Sequence, residues 1–421
     1  MDLQKSLDKL FSLHTFGVKL GLENITNFLA VIGNPQKKLK CFHVAGSNGK
    51  GSTAAFLASM LYEFGYNVGM YTSPHFIKFN ERIKVNGLDV PDEFVAAFIE
   101  EHENYIDENK LTFFEVTTAI AFQYFADEKV DYAVIETGLG GRLDATNVLN
   151  PLSVILTSIS LEHTNVLGKT IEEITSEKSA IIKDGIKVFC GRLPVEAEKV
   201  VSKKIDQTGS ELYRIEDYIN IKESTLELYT EEIEFDEWTM PLKGNYQKYN
   251  AALAALALIK TLDVNDSNQI RSGIKNVIAN TGFQGRYEFY RKNPTIILDS
   301  AHNADGIEKF LFEFQKDSKN YSKRVLLFAA MRDKAIPEML KKTASHFDSI
   351  FVTSIDYERA ATAEDLFTIA SGLGINVAVV KKPAEFVQSF ESEERDACLV
   401  VLGSMYLLGE IKSSISKKQI A

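Results

Sequence analysis

The hydrophobic positions of this 421-residue chain fall into two alternating rhythms. Short, nearly continuous apolar runs occur at LKCFHVAG (39–46), NVGMYTS (67–73), VDYAVIETG (130–138) and PLSVILTSIS (151–160). Runs of that length, with no polar alternation, predict strands covered on both faces, as in parallel sheets. Between them, apolar residues recur at helical spacing in TAAFLASMLYEFG (53–65), and again around 92–106 and 115–127. The first of these stops at Gly65, a residue suited to a helix end. Residues 1–40 are predicted helical, ending at Gly33-Asn34-Pro35. Strand–helix alternation of this kind predicts an α/β sheet.

The pattern changes at 210–242, where acidic, polar-alternating sequence predicts an antiparallel appendage, followed by a helix over 245–262. GFQGRYEFYRKNP (282–294) is polar and contains glycine and proline, and a linker is expected there. A second series of apolar runs follows: TIILDSA (295–301), RVLLFAA (324–330), SIFVTSI (349–355), INVAVV (375–380) and CLVVLGS (398–404). These predict a second, smaller Rossmann-like α/β domain, giving domains of 1–290 and 291–421. The chain's length also favours more than one domain.

Composition narrows the function. A net charge of −11 argues against general nucleic-acid binding, which needs a basic surface to release counterions. With 45% hydrophobic and 25% charged residues the chain reads as an ordinary soluble protein. No run approaches the ~20 apolar residues of a membrane span. MDLQKSLDKLFSLHTFG at the N-terminus has no apolar core of an export signal. Cys41, Cys190 and Cys398 are far apart and form no CxxC, as expected of reduced thiols in the cytoplasm.

Candidate chemistry begins at HVAGSNGKGS (43–52). The common phosphate loop is G-x-x-x-x-G-K-[ST]. Gly49 and Lys50 fit, but Val44 stands where the first glycine belongs and the hydroxyl arrives late, at Ser52. A strand precedes the turn and a helix follows, so its backbone N–H groups can hold an anion. Lys50 can neutralise a phosphate, and Ser52 can cap the helix or face a magnesium ion. The plainer reading is a glycine turn with a solvated lysine. A dinucleotide loop is disfavoured, because Gly138-Leu139-Gly140 has Leu143 in place of the last glycine. Glu136 ends an apolar strand and His163 follows the next one. Ligands gather at such strand ends in open α/β sheets, and a carboxylate there suits Mg²⁺ beside a phosphate loop.

Taken together, these stretches resemble the folylpolyglutamate synthase/dihydrofolate synthase family of the Mur ligase superfamily. The matches are KLGLENI (19–25), HVAGSNGKGST (43–53), YTSPHFIKFNERIKVNG (71–87), VIETGLGGRLDATNV (134–148), EHTNVLGKTIEEITSEKSAIIK (162–183), GRYE (285–288), LDSAHNADG (298–306) and LGSMYL (402–407), in family order along nearly the whole chain. The Mur-type loop, G-[ST]-x-G-K-x-[ST], accounts for the odd spacing through Gly46, Ser47, Gly49, Lys50 and Ser52. The resemblance implies that Asn48, Gly49, Lys50 and Gly51 cradle the ATP phosphates. It implies that Ser73 and Glu136 ligate one Mg²⁺ and that His163 helps hold a second. Asn250, Arg286 and Asp299 would contact ATP, with His302 near the phosphates. Because Arg286 and Asp299 come from the linker and second domain, the ATP site is expected to form on domain closure.

Lys178 aligns with a lysine that the family carbamylates; the alternative is a surface lysine paired with a nearby glutamate. For the pterin, the resemblance implies Leu20, Gly21 and Leu22, then Thr112, Phe113 and Phe114, then Leu143, Asp144 and Ala145. Phe113 and Phe114 could wall a flat ring, or simply pack in a core. Asp144 could accept the pterin N–H groups, or cap a turn before Thr146-Asn147.

The implied reaction is ATP-dependent joining of L-glutamate to dihydropteroate or to the terminal glutamate of a folate, through an acyl phosphate. Lys50 and two Mg²⁺ would offset phosphate charge. His302 is a candidate base. A monomer is expected. The competing readings are another Mur-type amino-acid ligase, against which the early position of the loop speaks, and a P-loop kinase-like protein, which would not need LDSAHNADG.

Overall fold

The structure, a computed structural model, describes residues 3–13, 21–222, 225–231, 234–235, 240–390 and 396–420. The chain divides into two units: Met1–Pro74, Phe79–Pro241 and Gln247–Phe283 in the first, His75–Lys78, Leu242–Tyr246 and Gln284–Ala421 in the second.

The first unit is built on strands β1 (Cys41–Ala45), β2 (Val68–Tyr71), β3 (Ile83–Val85), β4 (Leu88–Asp89), β5 (Tyr132–Glu136), β6 (Ser153–Leu156), β7 (Lys187–Cys190) and β8 (Glu211–Arg214). They form one sheet in the order β4-β3-β2-β5-β1-β6-β7-β8. The strands from β2 to β8 in that order run parallel, and β3 and β4 are antiparallel to their neighbours. The apolar runs became the buried strands because both sheet faces are covered: every residue of β1 is buried. The helix Lys50–Glu63 is buried along most of its length, from Gly51 to Leu61. It lies between the sheet and the helix Ser267–Lys275, whose Gly273 meets Met60 so closely that a Cβ there would come within 2.5 Å of the Met60 Cα.

Three further strands, β9 (Ile219–Lys222), β10 (Thr225–Tyr229) and β11 (Glu234–Phe235), form the expected antiparallel appendage. The appendage starts later than expected, because residues 211–214 join the main sheet as its parallel edge strand. The helix Asn245–Leu262 is as predicted.

The second unit's sheet holds β12 (Glu288–Lys292), β13 (Thr295–Leu298), β14 (Lys323–Phe328), β15 (Ser349–Val352), β16 (Ala378–Val379) and β17 (Ala397–Leu402), in the order β12-β13-β17-β14-β15-β16. All pairings are parallel except β12 with β13. β12 corrects the expected linker at 282–294. Its polar composition is that of an edge strand, with one face exposed and a bulge between Phe289 and Arg291. The boundary therefore falls after Phe283 rather than after residue 290.

All three cysteines are free and buried, and burial pushes each thiol up to about 12, which leaves them unreactive. Among the described residues, no helix is long and apolar enough to cross a membrane.

Candidate functional site

β1 is the strand between β5 and β6, and the register sets Val44 beside Glu136 and Ala45 beside Leu156. The chain after β1 thus emerges between the ends of two neighbouring strands. It turns through Gly46–Gly49 into the helix that starts at Lys50. Two glycines make the turn possible. Gly46 has φ +150° and a Cβ there would lie 2.0 Å from Thr157 Oγ1; Gly49 has φ +91° and a Cβ would lie 2.7 Å from Asn250 Oδ1. Asn250 is thereby placed against the loop, with its amide donating to Gln247 at 3.1 Å.

The segment after β6 braces the loop from the other side. Ser158 Oγ accepts from Asn48 N at 3.0 Å and donates to Asn48 O at 2.8 Å, and Thr157 Oγ1 donates to the same carbonyl at 2.7 Å. Ser47 N donates to Ser158 O at 2.7 Å. Thr157 and Ser158 had no assigned role in the sequence; the polar end of PLSVILTSIS was their only signal.

Lys50 Nζ folds back over the turn and donates to Gly46 O at 2.9 Å and Ser47 O at 3.1 Å. The helix begins on Gly49 with no side-chain cap, so the capping role open to Ser52 is not used, and Ser52 is buried. Glu136 is buried at the end of β5 and accepts from Ser73 N at 3.1 Å. Its Oε2 would lie 3.5 Å from a Cβ on Gly51, so the carboxylate and the glycine turn are adjacent. His163 takes the left-handed conformation, φ 47°, at the start of a short helix, Thr164–Leu167.

Lys178 is almost fully buried and does not take the surface position that the plainer sequence reading gave it. Its Nζ pairs with Glu162 at 2.9 Å and donates to Gly46 O at 3.0 Å, so Lys178 reaches the glycine turn itself. Burial pushes its ammonium below the usual lysine range, opposed by Glu162. Burial alone would raise Glu162, yet the charges of Lys178 and Lys50 hold it at about 2. Glu162 was missed in the sequence reading, although it stands beside His163.

The loop after β5 carries GLGGRLDATN. Asp144 is buried and accepts four hydrogen bonds: Gly138 N and Leu139 N at 2.8 Å on Oδ2, Thr146 N at 3.0 Å and Thr146 Oγ1 at 2.5 Å on Oδ1. These bonds make Asp144 the cap of the turn before Thr146-Asn147, and it shapes the loop. Burial raises its pKa and these bonds oppose the rise.

Phe113 is likewise corrected from a ring wall to core packing, edge-on to Phe79 and stacked on Phe11. Phe114 differs: it is half-buried, and its ring sits where a Cβ on Gly138 would meet it at 2.3 Å. Thr112 caps the following helix in a reciprocal pair with Glu115. Leu22 packs partly on the same core, Gly21 and Leu143 are half-buried and Ala145 is buried. Leu20 lies outside the described residues.

In the second unit, Asp299 follows β13 and accepts from Tyr287 N at 2.7 Å and Ala301 N at 2.8 Å. Burial raises its pKa and the charge of Arg286 opposes that rise. Arg286 donates to Gly285 O at 3.1 Å. His302 Nδ1 is 3.0 Å from Ser300 O, which can only accept, so Nδ1 carries the proton of the neutral ring. Asn303 caps the helix Ala304–Ser318.

Two family models match this chain: the Mur ligase middle domain over residues 44–258 and the Mur ligase, glutamate ligase domain over 285–405. The chain is 37% identical over 415 residues to the dihydrofolate synthase/folylpolyglutamate synthase of Bacillus subtilis (strain 168), across 95% of this chain and 96% of that one. E. coli FolC in complex with DHPP and ADP is similar in structure, with a TM-score of 0.86 and 28% identity over 99% of this chain and 98% of that one. The bifunctional folylpolyglutamate synthase/dihydrofolate synthase with Mn, AMPPNP and L-glutamate bound gives a TM-score of 0.85 and 26% identity, covering 98% of each chain; its counterpart with AMPPNP and Mn ion is from Yersinia pestis.

Proposed function

The chain belongs to the folylpolyglutamate synthase/dihydrofolate synthase family, and we propose that its glutamate ligation runs on the side chains gathered around the Gly46–Gly51 loop. It is an ATP-dependent acid–amino-acid ligase adding L-glutamate to folates. The proposed acceptors are dihydropteroate and the terminal glutamate of a folate. The observation that carries this reading is the placement of Lys50, Glu136 and Lys178 around one glycine turn at the end of the central strands.

A carboxylate is a poor acyl donor. Phosphorylation of the acceptor carboxylate by ATP creates a good leaving group, and attack by the glutamate amine then releases phosphate and forms the amide. The protein's contribution is positioning and charge neutralisation. Turn N–H groups and the start of the Lys50–Glu63 helix favour phosphate oxygens. Lys50, now held by two carbonyls, is free to swing to a phosphate at the cost of two ordinary hydrogen bonds. Asn250, and from the second unit Arg286, Asp299 and His302, are proposed nucleotide contacts, with His302 the candidate base through Nε2.

The family's reaction uses a divalent ion, and Mg²⁺, as two ions, is our proposal. Ser73, Glu136 and His163 would hold it. Among the described residues no three His, Cys, Asp or Glu side chains converge into a metal site. That suits Mg²⁺, which keeps several waters and takes one or two protein ligands beside phosphate oxygens. When bound, it would offset phosphate charge.

Lys178 is proposed to react as its carbamate. Burial favours the neutral amine that would add CO₂. Carbamylation replaces a cation beside Glu162 with an anion, which needs a neighbouring cation, so the modification and the metal are expected together. Lys178→Ala should lose activity, with partial recovery on adding short carboxylates; full activity in Lys178→Ala would rule the role out.

The acceptor is proposed to lie along Phe114, Leu143 and Ala145 with Gly21 and Leu22, on a loop shaped by Asp144. The enzyme is proposed to work as a monomer in the cytoplasm; dilution-dependent activity would argue for an oligomer. The test of the reaction is phosphate release from ATP. Release requiring both L-glutamate and dihydropteroate or a folate supports the ligase reading. Conversion of ATP to ADP that needs no glutamate, with a phosphorylated acceptor and no free phosphate, would favour a kinase-like protein.

A further inference from the structure

β1 contains one polar residue, His43, between Phe42 and Val44, and it is fully buried. Its Nε2 lies 2.8 Å from Thr146 Oγ1, and its Nδ1 is buried with no hydrogen-bond partner among the described residues. An imidazole with one orphaned nitrogen is a poor choice for filling space in the centre of a sheet. The strand's other residues are Cys, Phe, Val and Ala, so the position is otherwise an apolar one.

The direction of the contact is fixed by the next partner. Thr146 has a single hydroxyl hydrogen and lies 2.5 Å from Asp144 Oδ1. Asp144 already accepts three backbone N–H groups, an environment for an acceptor-only carboxylate. Thr146 therefore donates to Asp144, and His43 Nε2–H donates to Thr146. The relay ends on Gly138 N and Leu139 N, against which Phe114 packs.

The same loop is held from two other sides. Lys183 Nζ donates to Asn147 O at 3.0 Å and Oδ1 at 2.8 Å. Arg142 N donates to Glu177 O at 2.8 Å, and a Cβ on Gly141 would sit 2.7 Å from Lys178 O. His43 is the tether that reaches the loop from β1, three residues before the phosphate loop's Gly46.

We propose that His43 is a positioning residue: through Thr146 and Asp144 it sets the shape of the 138–147 loop for the pteroyl or folate acceptor, from the strand that enters the phosphate loop. The inference rests on the reading of that loop as the acceptor side. His43 is fully buried and its side-chain partner, Thr146, leads to the 138–147 loop, so its loss should be felt in acceptor binding and alignment rather than in nucleotide binding.

The test compares His43→Leu, which removes the donor, with His43→Gln, whose amide nitrogen can replace Nε2–H. Steady-state kinetics are measured with ATP and acceptor varied separately, alongside thermal melting. The expected result for His43→Leu is an acceptor KM raised about tenfold or more with the KM for ATP within about twofold, since small misplacements cost rates of that order. His43→Gln should recover most of the loss. An unchanged acceptor KM in His43→Leu, equal shifts for ATP and acceptor, or no recovery in a folded His43→Gln would each overturn the proposal. If His43→Leu does not fold, Thr146→Val and Thr146→Ser decide by the same criteria, with serine restoring the hydroxyl. A wild-type enzyme without acceptor-dependent turnover would instead count against the reading of the function itself.

Discussion

At the scale of single residues, burial decides what each charged or polar group can do. Lys178 and His43 are both buried. The apolar run around His43 predicts a strand covered on both faces, whereas helical position alone makes Lys178 a surface residue. Thr146 lies 103 residues along the chain from His43, and Glu162 lies ahead of the helix that carries Lys178, so neither pairing follows from strand or helix spacing. His43 carries a measurable consequence. Burial, with the Lys183 charge second, pushes its imidazole down to about 3 from 6.5. In the unfolded chain it takes up a proton as the pH falls through 6.5, whereas the folded protein resists. The stability it contributes is therefore complete above pH 6.5 and declines as the pH falls toward 3. At 1.36 kcal/mol per pKa unit, the drop from pH 6.5 to 5 is about 2 kcal/mol. Urea unfolding at pH 7 and 5 should show that loss in the wild type and a flatter dependence in His43→Gln; equal slopes would contradict it.

At the scale of elements, the strand–turn–helix unit of the phosphate loop was legible because each part has a strong local signature. An apolar run predicts β1, glycines at 46 and 49 predict the turn, and helical spacing predicts the Lys50–Glu63 helix. The resemblance located the loop's relatives, and its short spacing was the most informative local signal. What composition hid were edge elements. β12 reads as a linker because an edge strand needs only one apolar face, and β8 reads as part of an acidic appendage for the same reason. The side chains that shape loops were hidden too: Asp144 was legible as either a ligand or a cap, and its four donors show the cap. The loop's dependence on its brace can be tested at Gly46. A Cβ there would collide with Thr157 Oγ1 at 2.0 Å, in a backbone conformation that disfavours side chains. Gly46→Ala should raise the KM for ATP by about tenfold or more, with little change for a mutation such as Gly372→Ala, where nothing lies within 4 Å and the backbone is not left-handed. An unaltered ATP KM in Gly46→Ala would show that the turn is not the nucleotide site.

At the scale of the whole molecule, two units with main sheets of different design share one chain, and the residues implied in ATP contact belong to both units. Segments 75–78 and 242–246 belong with the second unit although they precede its main span, a division invisible to any reading of composition along the chain. The central claim is that this assembly couples ATP cleavage to amide formation with Lys50 on the phosphates. The most direct measurement is incorporation of labelled L-glutamate into dihydropteroate and tetrahydrofolate, side by side, with phosphate release followed in the same reactions, for the wild type and Lys50→Ala. The account predicts one phosphate released per glutamate joined in the wild type. In a normally melting Lys50→Ala it predicts both falling together by about a hundredfold or more. Glutamate incorporation at wild-type rates in Lys50→Ala, or phosphate release without incorporation in the wild type, would contradict it.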